Sequence, residues 1–470
     1  MKKEKPVNEI NKTISLKITT PIYPTTDWKE FIEIIRMLQA EVHEASNRVI
    51  TKCNIYYGKY YDNEIDISDH DTQNSIRNDL YSIAKSCCKY LSVRNMNSIS
   101  NTIYSKYFCG KNSYVKMIQK GEGNPPMNFK SKIPIPVYPN GKTSEIKIIR
   151  KGRCDSEDEI NYNDVWYDIQ LPIISKSFKD YWNENKLSSE NNVRITYTPF
   201  KIGILARKRD IKRFCEAVLS GEYKITNGQI VEKKDKNDKP VFYLNLSYKY
   251  TAELENIELN PKKICGIDLG EVKPITCANN LDDEFYYVRD NTVIKQKEEM
   301  YRKLSDEQSK AKYDGRSGHG RKVKLKDIEY RRNKIKNFTE HKCHMWVNDV
   351  FNMYILPKGC GTIHLEKLTG LYANNSRKRF MKHFPYYLIQ EFIKQKAKEY
   401  GIKVEYVDSR YTSQKCSKCG YTNKNNRPKD KMGQGYFKCL ECGHSENADV
   451  NAANNIAKAK PLSQKQLDAA

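Results

Sequence analysis

Two pairs of cysteines near the end of the chain constrain its fold more than any other feature. Cys416 and Cys419 form one CxxC pair, Cys439 and Cys442 form the other, and nineteen residues separate the pairs. This spacing is typical of a zinc site. Four thiolates close a tetrahedral shell around Zn²⁺ and leave no open position, so the metal is structural. The segment therefore predicts a zinc ribbon, because ordinary buried cysteines do not account for two such pairs.

The charge of the chain indicates what it binds. Its 470 residues include 82 Lys and Arg against 58 Asp and Glu, a formal net charge of +24. Such an excess is the electrostatic footprint of a protein with a polyanionic partner, and nucleic acid is the first candidate. No apolar run is long enough to span a membrane. The chain begins without an apolar signal segment, so we expect a cytoplasmic location and no membrane partner.

Three carboxylates lie at informative positions in the second half of the chain. The patterns from 262 to 459 predict three meandering strands, then helix, strand, helix, strand and helix, which is the order of a ribonuclease H-like sheet. Asp268 lies in the first strand, Glu366 ends the fourth, and Asp449 opens the last helix. A carboxylate beside a buried strand is costly unless it is paired or metal-bound. The three could converge and hold two Mg²⁺ ions, or Mn²⁺, for phosphodiester hydrolysis.

Each of these residues also has an ordinary interpretation. Asp268 could end a strand at a turn, Glu366 could lie on the surface, and Asp449 could cap its helix. Their joint position, on the expected elements in the expected order, favours catalysis. Arg427 lies between the cysteine pairs. It could hold the scissile phosphate and offset transition-state charge, or it could be a solvated loop arginine.

The first half of the chain predicts a β domain interrupted by helices. Residues 13–18 alternate as a strand. A helical pattern follows, with Thr26 or Asp27 as its cap. Strand patterns dominate from about 130 to 255, and Asn227-Gly228 predicts a hairpin turn. We interpret the strands as a barrel or sandwich with the helices inserted in it, so the fold class is multidomain α+β.

The strongest motifs of the chain are Gly266-Ile267-Asp268-Leu269-Gly270, Gly361-Thr362-Ile363-His364-Leu365-Glu366-Lys367-Leu368, Tyr411-Thr412-Ser413-Gln414-Lys415-Cys416-Ser417-Lys418-Cys419-Gly420 and Asn447-Ala448-Asp449-Val450-Asn451-Ala452-Ala453. They resemble the split RuvC-like nuclease of type V CRISPR effectors, and equally its transposon-encoded TnpB-like relatives. The short chain is similar to the miniature subtype V-F effectors, as is the β domain at 221–223 and 243–248.

The resemblance implies an RNA-guided DNA endonuclease of a prokaryotic CRISPR system. A guide RNA, either a crRNA with its tracrRNA or a fused single guide, would pair with one strand of the double-stranded target, and the protein would read a short flanking motif. One RuvC-like site would cut both strands in turn, with a homodimer bound to one guide RNA. By motif match, Asp268, Glu366 and Asp449 take the metal-binding roles, and Arg427 matches the arginine of the ribbon loop.

The resemblance also implies a role for each part of the chain. A helical recognition domain is expected within a wedge β-barrel domain, and a zinc ribbon that binds target nucleic acid is expected within a RuvC-like α/β nuclease domain. The expected boundaries are 1–25 and 126–258 for the wedge domain, 26–125 for the recognition domain, 259–410 and 447–460 for the nuclease domain, 411–446 for the ribbon and 461–470 for a tail.

Three other functions are compatible with these residues. A transposon-encoded TnpB-like RNA-guided nuclease would carry the same motifs. A zinc-ribbon nucleic-acid-binding protein that has lost cleavage would leave matched DNA uncut in the presence of RNA and Mg²⁺. A DNA transposase of the same fold would join strands without RNA.

Overall fold

The computed structural model divides the chain into two units, one of which is Glu9–Thr251 and the other the residues that follow. The residues that the structure describes are 9–110, 113–121, 123, 128–129, 131–139, 145–153, 165–186, 194, 200–235, 239–251, 258–270, 273–290, 292–311, 325–367, 384–427 and 435–463. Within these ranges, no helix is long and apolar enough to cross a membrane.

Alternating apolar residues build two sheets in the first unit. In Val165–Leu171, every second side chain is buried, because successive residues of a strand point to opposite faces. The strands are β1 (Glu9–Lys17), β2 (Thr20–Tyr23), β3 (Ile135–Val137), β4 (Lys147–Arg153), β5 (Val165–Leu171), β6 (Phe200–Ala206), β7 (Lys224–Lys234) and β8 (Pro240–Thr251). Their orders are β1-β8-β7-β3 and β2-β6-β5-β4. Neither sheet closes in the described residues, so the wedge barrel stays a prediction.

The helices of the first unit mostly lie in the chain between β2 and β3. The N-cap of α1 is Asp27, whose side chain accepts a hydrogen bond from the Lys29 backbone N–H, which confirms one of the two predicted caps. The apolar residues at helical spacing in α1 are buried, as expected for an amphipathic helix on a core. The helices are α1 (Trp28–Tyr61), α2 (His70–Cys87), α3 (Val93–Phe108), α4 (Tyr114–Gln119), α5 (Lys176–Asn185) and α6 (Arg209–Leu219).

The predicted hairpin turn at Asn227-Gly228 is wrong. Both residues lie inside β7, where the pairing with β8 shifts register. A side chain at Gly228 would place its Cβ 2.9 Å from the Asn245 carbonyl oxygen, so this glycine permits close approach of β8 and does not form a turn. The chain reverses further on, where the Asp235 backbone N–H donates to the Lys239 carbonyl at 2.9 Å.

An ion pair between the partly exposed Arg36 and the buried side chain of Glu232 ties α1 to β7. The Glu232 side chain is 3% exposed and is paired with both Arg36 and Lys132. Arg36 Nη2 donates to Glu232 Oε1 at 2.8 Å, and Lys132 Nζ donates to the same oxygen at 2.6 Å. The hydrogen bond from Arg36 is the main cause that lowers the pKa of Glu232 to about 2, against the opposing effect of burial.

The second unit is built on a five-stranded mixed sheet. Its order is β11-β10-β9-β12-β13, with β9, β12 and β13 parallel and the other pairs antiparallel. The predicted succession of strands and helices from 262 to 459 is therefore the observed one. The strands are β9 (Asn260–Asp268), β10 (Thr276–Asn279), β11 (Phe285–Tyr287), β12 (Cys360–Glu366) and β13 (Lys403–Val407), and a two-stranded sheet follows with β14 (Tyr436–Lys438) and β15 (Ser445–Asn447).

Helices cover this sheet on both faces. Apolar residues of α8 and α9 form one core with Cys265, Ile267 and Ile363 of the sheet, while α10 packs on the face where Gly266 lies. The helices are α7 (Val293–Lys310), α8 (Lys326–Val350), α9 (Tyr386–Glu399) and α10 (Ala448–Lys458), and a π-helical turn, Phe351–Ile355, follows α8.

The predicted tail begins with residues that the sheet holds. Pro461 forms a bridge with Val407, and the Leu462 backbone N–H donates to the Tyr406 carbonyl at 2.8 Å. The first residues of that segment are therefore bound to β13, and residues 464–470 lie outside the described residues.

Candidate active site

Two of the three predicted carboxylates end neighbouring parallel strands. Asp268 is the last residue of β9 and Glu366 is the last residue of β12. Leu365 pairs with Ile267, so the residues that follow them, Glu366 and Asp268, lie at the same edge of the sheet. Parallel strands bring their carboxyl ends to one edge, which is where ligands of such sheets bind. The sheet therefore positions the two side chains as neighbours.

The third carboxylate arrives on a helix that packs unusually close to the sheet. A Cβ at Gly266 would lie 2.2 Å from the Ala453 carbonyl oxygen and 2.3 Å from the Ala457 nitrogen of α10. Only a residue without a side chain allows this approach. Asp449 lies in the first turn of α10, whose N-cap is Asn447. Asp449 is therefore not the helix cap, which removes its ordinary interpretation.

The carboxylates repel one another. Burial, followed by the charges of Glu366 and Asp449, raises the pKa of Asp268 well above its usual range, although Arg427 acts in the opposite direction. Burial also raises the pKa of Glu366, although the hydrogen bond from Thr412 lowers it. Thr412 Oγ1 donates to Glu366 Oε1 at 2.5 Å. A divalent cation would relieve this repulsion, since hard oxygen ligands suit Mg²⁺ and Mn²⁺.

The spacing of the carboxylates is looser than that of a loaded metal site. In the described part of the chain, the carboxylate oxygens of Asp268, Glu366 and Asp449 do not all lie within 4.8 Å of one another. A cation would have to draw them together. Side chains of catalytic sites often tighten only when the site is filled, so the donor set fits the cation in chemistry and would reach ligand spacing when the cation binds.

Two positively charged side chains lie beside Asp449. Arg427 Nη2 is 3.9 Å from Asp449 Oδ1, and Lys273 Nζ is 3.9 Å from Asp449 Oδ2. Arg427 follows a short 3₁₀ turn that is anchored by the fully buried Asn426, which donates to the Gln414 carbonyl at 3.0 Å. The structure thus brings Arg427 to the carboxylates, as the catalytic interpretation requires.

The sequence did not point to Lys273 or Thr412. Lys273 lies in the turn between β9 and β10, a few residues after Asp268. Its position shortly after the strand that carries Asp268 is the sequence signal that could have identified Lys273. Thr412 belongs to a motif that carried the family resemblance, but nothing in its residue type indicates a hydrogen bond to Glu366.

The four predicted cysteines form a candidate zinc centre. Cys416, Cys419, Cys439 and Cys442 offer sulfur atoms that all lie within 4.8 Å of one another. The Cys416–Cys442 and Cys419–Cys439 sulfur distances are 3.7 and 3.5 Å. Tetrahedral Zn²⁺ with bonds of about 2.3 Å would separate its sulfur ligands by about 3.8 Å, so the cluster fits zinc.

Hydrogen bonds join the zinc centre to the carboxylates. The Asn451 amide of α10 accepts from the Ser417 backbone N–H at 2.9 Å and donates to the Lys415 carbonyl at 2.8 Å. Asn455, one turn later, donates to the carbonyls of Lys415 at 2.7 Å and Thr412 at 2.8 Å. The helix that presents Asp449 therefore also holds the segment that carries Thr412 and the first cysteine pair.

Comparison with known proteins shows which family the chain resembles. Residues 386–456 match the description Cas12f1-like, TNB domain. The chain is 32% identical over 437 residues to the CRISPR-associated endodeoxyribonuclease Cas12f1 of Sulfoacidibacillus thermotolerans, covering 92% of this chain and 93% of that protein. A TnpB-like protein of Aquifex aeolicus is 37% identical over 102 residues, 21% of this chain and 33% of that protein.

A solved structure agrees in fold. The protein in the cryo-EM structure of a Cas12f1-sgRNA-target DNA complex superposes with a TM-score of 0.70 at 20% identity, covering 96% of this chain and all of that one. The predicted type V resemblance is confirmed, and the CRISPR-associated relative is matched over far more of the chain than the TnpB-like one. The chain therefore belongs to the Cas12f1 family of CRISPR-associated endodeoxyribonucleases.

Proposed function

We propose that the chain is an RNA-guided DNA endonuclease of a CRISPR system that hydrolyses DNA phosphodiesters at Asp268, Glu366 and Asp449. The observation that carries the proposal is the convergence of these carboxylates, with Arg427 and Lys273, at one edge of the mixed sheet. The relative named an endodeoxyribonuclease spans nearly the same length. The net charge of +24 suits a protein that holds a guide RNA and a DNA target.

The side chains have distinct tasks in this mechanism. Asp268, Glu366 and Asp449 would hold divalent cations, which would supply an activated water and stabilise the leaving oxygen. Asp268, Glu366 and Asp449 provide the oxygen ligands, and Thr412 fixes the orientation of Glu366. Arg427 and Lys273 are positioned to offset the negative charge of the phosphate as it is attacked.

The remaining parts have proposed roles that follow from their order. Residues 1–25 and 126–258, whose described parts are mostly strands, serve as the wedge domain, and residues 26–125, whose described parts are mostly helices, serve as the recognition domain. The mixed sheet with its helices is the RuvC-like nuclease domain, and 411–446 is a structural zinc ribbon that binds target nucleic acid. Between 409 and 438 there are eight Lys and Arg and one acidic residue, which favours that role.

A second copy of the chain completes the proposed complex. The chain is short for a protein that holds a guide RNA and both DNA strands, so we propose that two copies bind one guide RNA. Native mass measurement of the purified complex tests this, because one protein per RNA would contradict it.

The catalytic proposal is tested by replacing one carboxylate. Asp268→Ala should abolish cleavage of matched DNA by the RNA-loaded protein in Mg²⁺ while target binding is retained, because the lost group binds metal and not DNA. Asp283→Ala, at an exposed carboxylate of the same unit, is the matched control. Retained cleavage in Asp268→Ala would remove Asp268 from the catalytic site, and joint loss of binding and cleavage would show that Asp268 is structural.

The same assay separates the other functions. If wild-type protein with its RNA and Mg²⁺ binds matched DNA and leaves it uncut, the protein only binds nucleic acid. If DNA strands are joined without RNA, the protein is a transposase.

A further inference from the structure

A row of paired residues leads from the carboxylates to the free edge of the mixed sheet. Thr276 of β10 pairs with Asp268 on one side and with Tyr287 of β11 on the other. Directly paired residues of antiparallel strands point to the same face. Tyr287 therefore shares a face with Asp268, and Phe285 shares it as well, because it lies two residues earlier on the same strand.

The two aromatic rings on this edge are aligned and accessible. The rings of Phe285 and Tyr287 are stacked, with centroids 6.3 Å apart and planes 12° apart. Phe285 is 50% exposed. A groove of about 880 Å³ lies between this strand and the end of α8, and both rings line it together with Trp346 and Asp349. Phe285 packs on Tyr287 with part of its surface and leaves the rest open to solvent, so a ligand can contact it.

Positively charged side chains lie between this edge strand and the carboxylates, or beside its rings. Lys273 Nζ lies 4.3 Å from the centroid of the Tyr287 ring and 3.9 Å from Asp449 Oδ2. Arg289 lies 5.5 Å from the centroid of the same ring and is exposed. Aromatic faces beside positive charges are the combination that binds single-stranded nucleic acid, in which bases stack and cations contact the phosphates.

We propose that Phe285 and Tyr287 form a stacking shelf for an unpaired base of the DNA strand being cut, with Lys273 contacting the phosphate between shelf and carboxylates. The inference rests on the proposed nuclease function and deepens it. The ligand is single-stranded, because a duplex buries the faces of its bases. Pairing of a partner strand with β11 is disfavoured, since β11 has three residues and short edge strands resist such addition.

The shelf is tested first by kinetics on the full chain with its guide RNA. Phe285→Ala should reduce the rate of target-DNA cleavage roughly tenfold, the scale of one lost stacking contact. Binding of the target to the complex should be unchanged. Phe285→Trp should restore the rate, because tryptophan also stacks. The matched control is Tyr387→Ala, which removes a ring that is 69% exposed on α9 of the same unit and should leave the rate as in the wild type.

Photocrosslinking gives a second, direct readout. In the Asp268→Ala complex, 5-iodouracil placed at successive positions around the cut site should crosslink to the peptide with Phe285 and Tyr287 from one position. Equal cleavage by Phe285→Ala and wild type, or no crosslink to this peptide from any position, would overturn the shelf while the nuclease proposal stands. If wild type cuts no DNA, the proposed function itself fails. A changed oligomeric state in Phe285→Ala would assign the surface to a second copy instead.

Discussion

At the scale of single residues, the missing side chain at Gly266 sets the position of Asp449. Gly266 lies in β9 and faces α10. The backbone of that helix occupies the space that a Cβ at this position would need. Backbone atoms cannot move aside as the end of a flexible side chain can. Any side chain at this position would therefore push α10, and the carboxylate at its start, away from Asp268.

We expect Gly266→Ala to destabilise the protein and to slow DNA cleavage. Overpacking of this kind typically costs about 1–3 kcal/mol, and the displaced helix carries Asp449, a proposed metal ligand. Denaturant unfolding, followed with a cleavage assay, measures both effects. Gly58→Ala is the control, because nothing lies within 4 Å of a Cβ there and alanine is favoured in a helix. Wild-type stability and activity in Gly266→Ala would show that α10 shifts without consequence.

Thr412 acts through Glu366. Its hydroxyl donates to the Glu366 carboxylate at 2.5 Å, and such partners of metal ligands typically contribute 10- to 100-fold in metal affinity, as an order of magnitude. We expect Thr412→Val to raise the Mg²⁺ concentration for half-maximal cleavage by about tenfold or more. Thr422→Val, on the ribbon, should leave it unchanged. An unaltered Mg²⁺ dependence in Thr412→Val would remove Thr412 from the site.

At the scale of elements, the sequence predicted the order of the strands and helices better than the contacts between residues far apart in the chain. The succession of strands and helices after 262, the cap of α1 and the two cysteine pairs all follow from local periodicity and spacing. The Asn227-Gly228 signal failed because the tertiary requirement for close approach of β8 outweighed a local turn preference. Lys273 and Thr412 were missed because the ion pair of one and the hydrogen bond of the other join segments far apart in sequence.

The ion pair between α1 and β7 should make the first unit sensitive to acid. The folded-state pKa of Glu232 is about 2, below its ordinary value of 4.5. The unfolded state therefore binds more protons at low pH, and stability falls as pH decreases. The contribution is fully present above about pH 4.5 and is lost as pH falls through about 2.

We expect Glu232→Gln to lower the free energy of unfolding at pH 7 by about 2 kcal/mol, reduced from the full value because Arg36 is partly exposed. The difference from wild type should shrink as pH falls below 4.5. Urea unfolding at several pH values measures it. Glu44→Gln, in an exposed pair with Arg48, should change little at any pH. A pH-independent difference for Glu232→Gln would contradict the ion-pair account.

The zinc centre should stabilise the ribbon as a unit. Cys416→Ser removes one thiolate, and binding free energy of a structural zinc is folding free energy. We expect loss of bound zinc after dialysis against a chelator, together with faster proteolysis between 409 and 447. Metal analysis gives the zinc content directly. Cys109→Ser, at an exposed cysteine outside the ribbon, is the control, and unchanged zinc in Cys416→Ser would refute the four-thiolate site.

At the scale of the whole molecule, the net charge serves to bind nucleic acid, whereas the proposed catalytic site serves to cut it. The net +24 is spread along the chain and attracts any polyanion, with a strength that falls as salt rises. The carboxylates, by contrast, lie together at one end of the sheet strands, and the proposed mechanism has them act on one phosphodiester at a time. Sequence-specific cutting then has to come from base pairing with the guide and not from the protein surface.

The measurement that tests this account most directly is retargeting of the cut. Purified protein, loaded with guides that differ only in the pairing segment, is given Mg²⁺ and two DNA targets, each matched to one guide beside the same flanking sequence. The account predicts that each complex cuts only its matched target and that Asp268→Ala cuts neither. Cutting of both targets with either guide, or without RNA, would contradict RNA-guided cleavage.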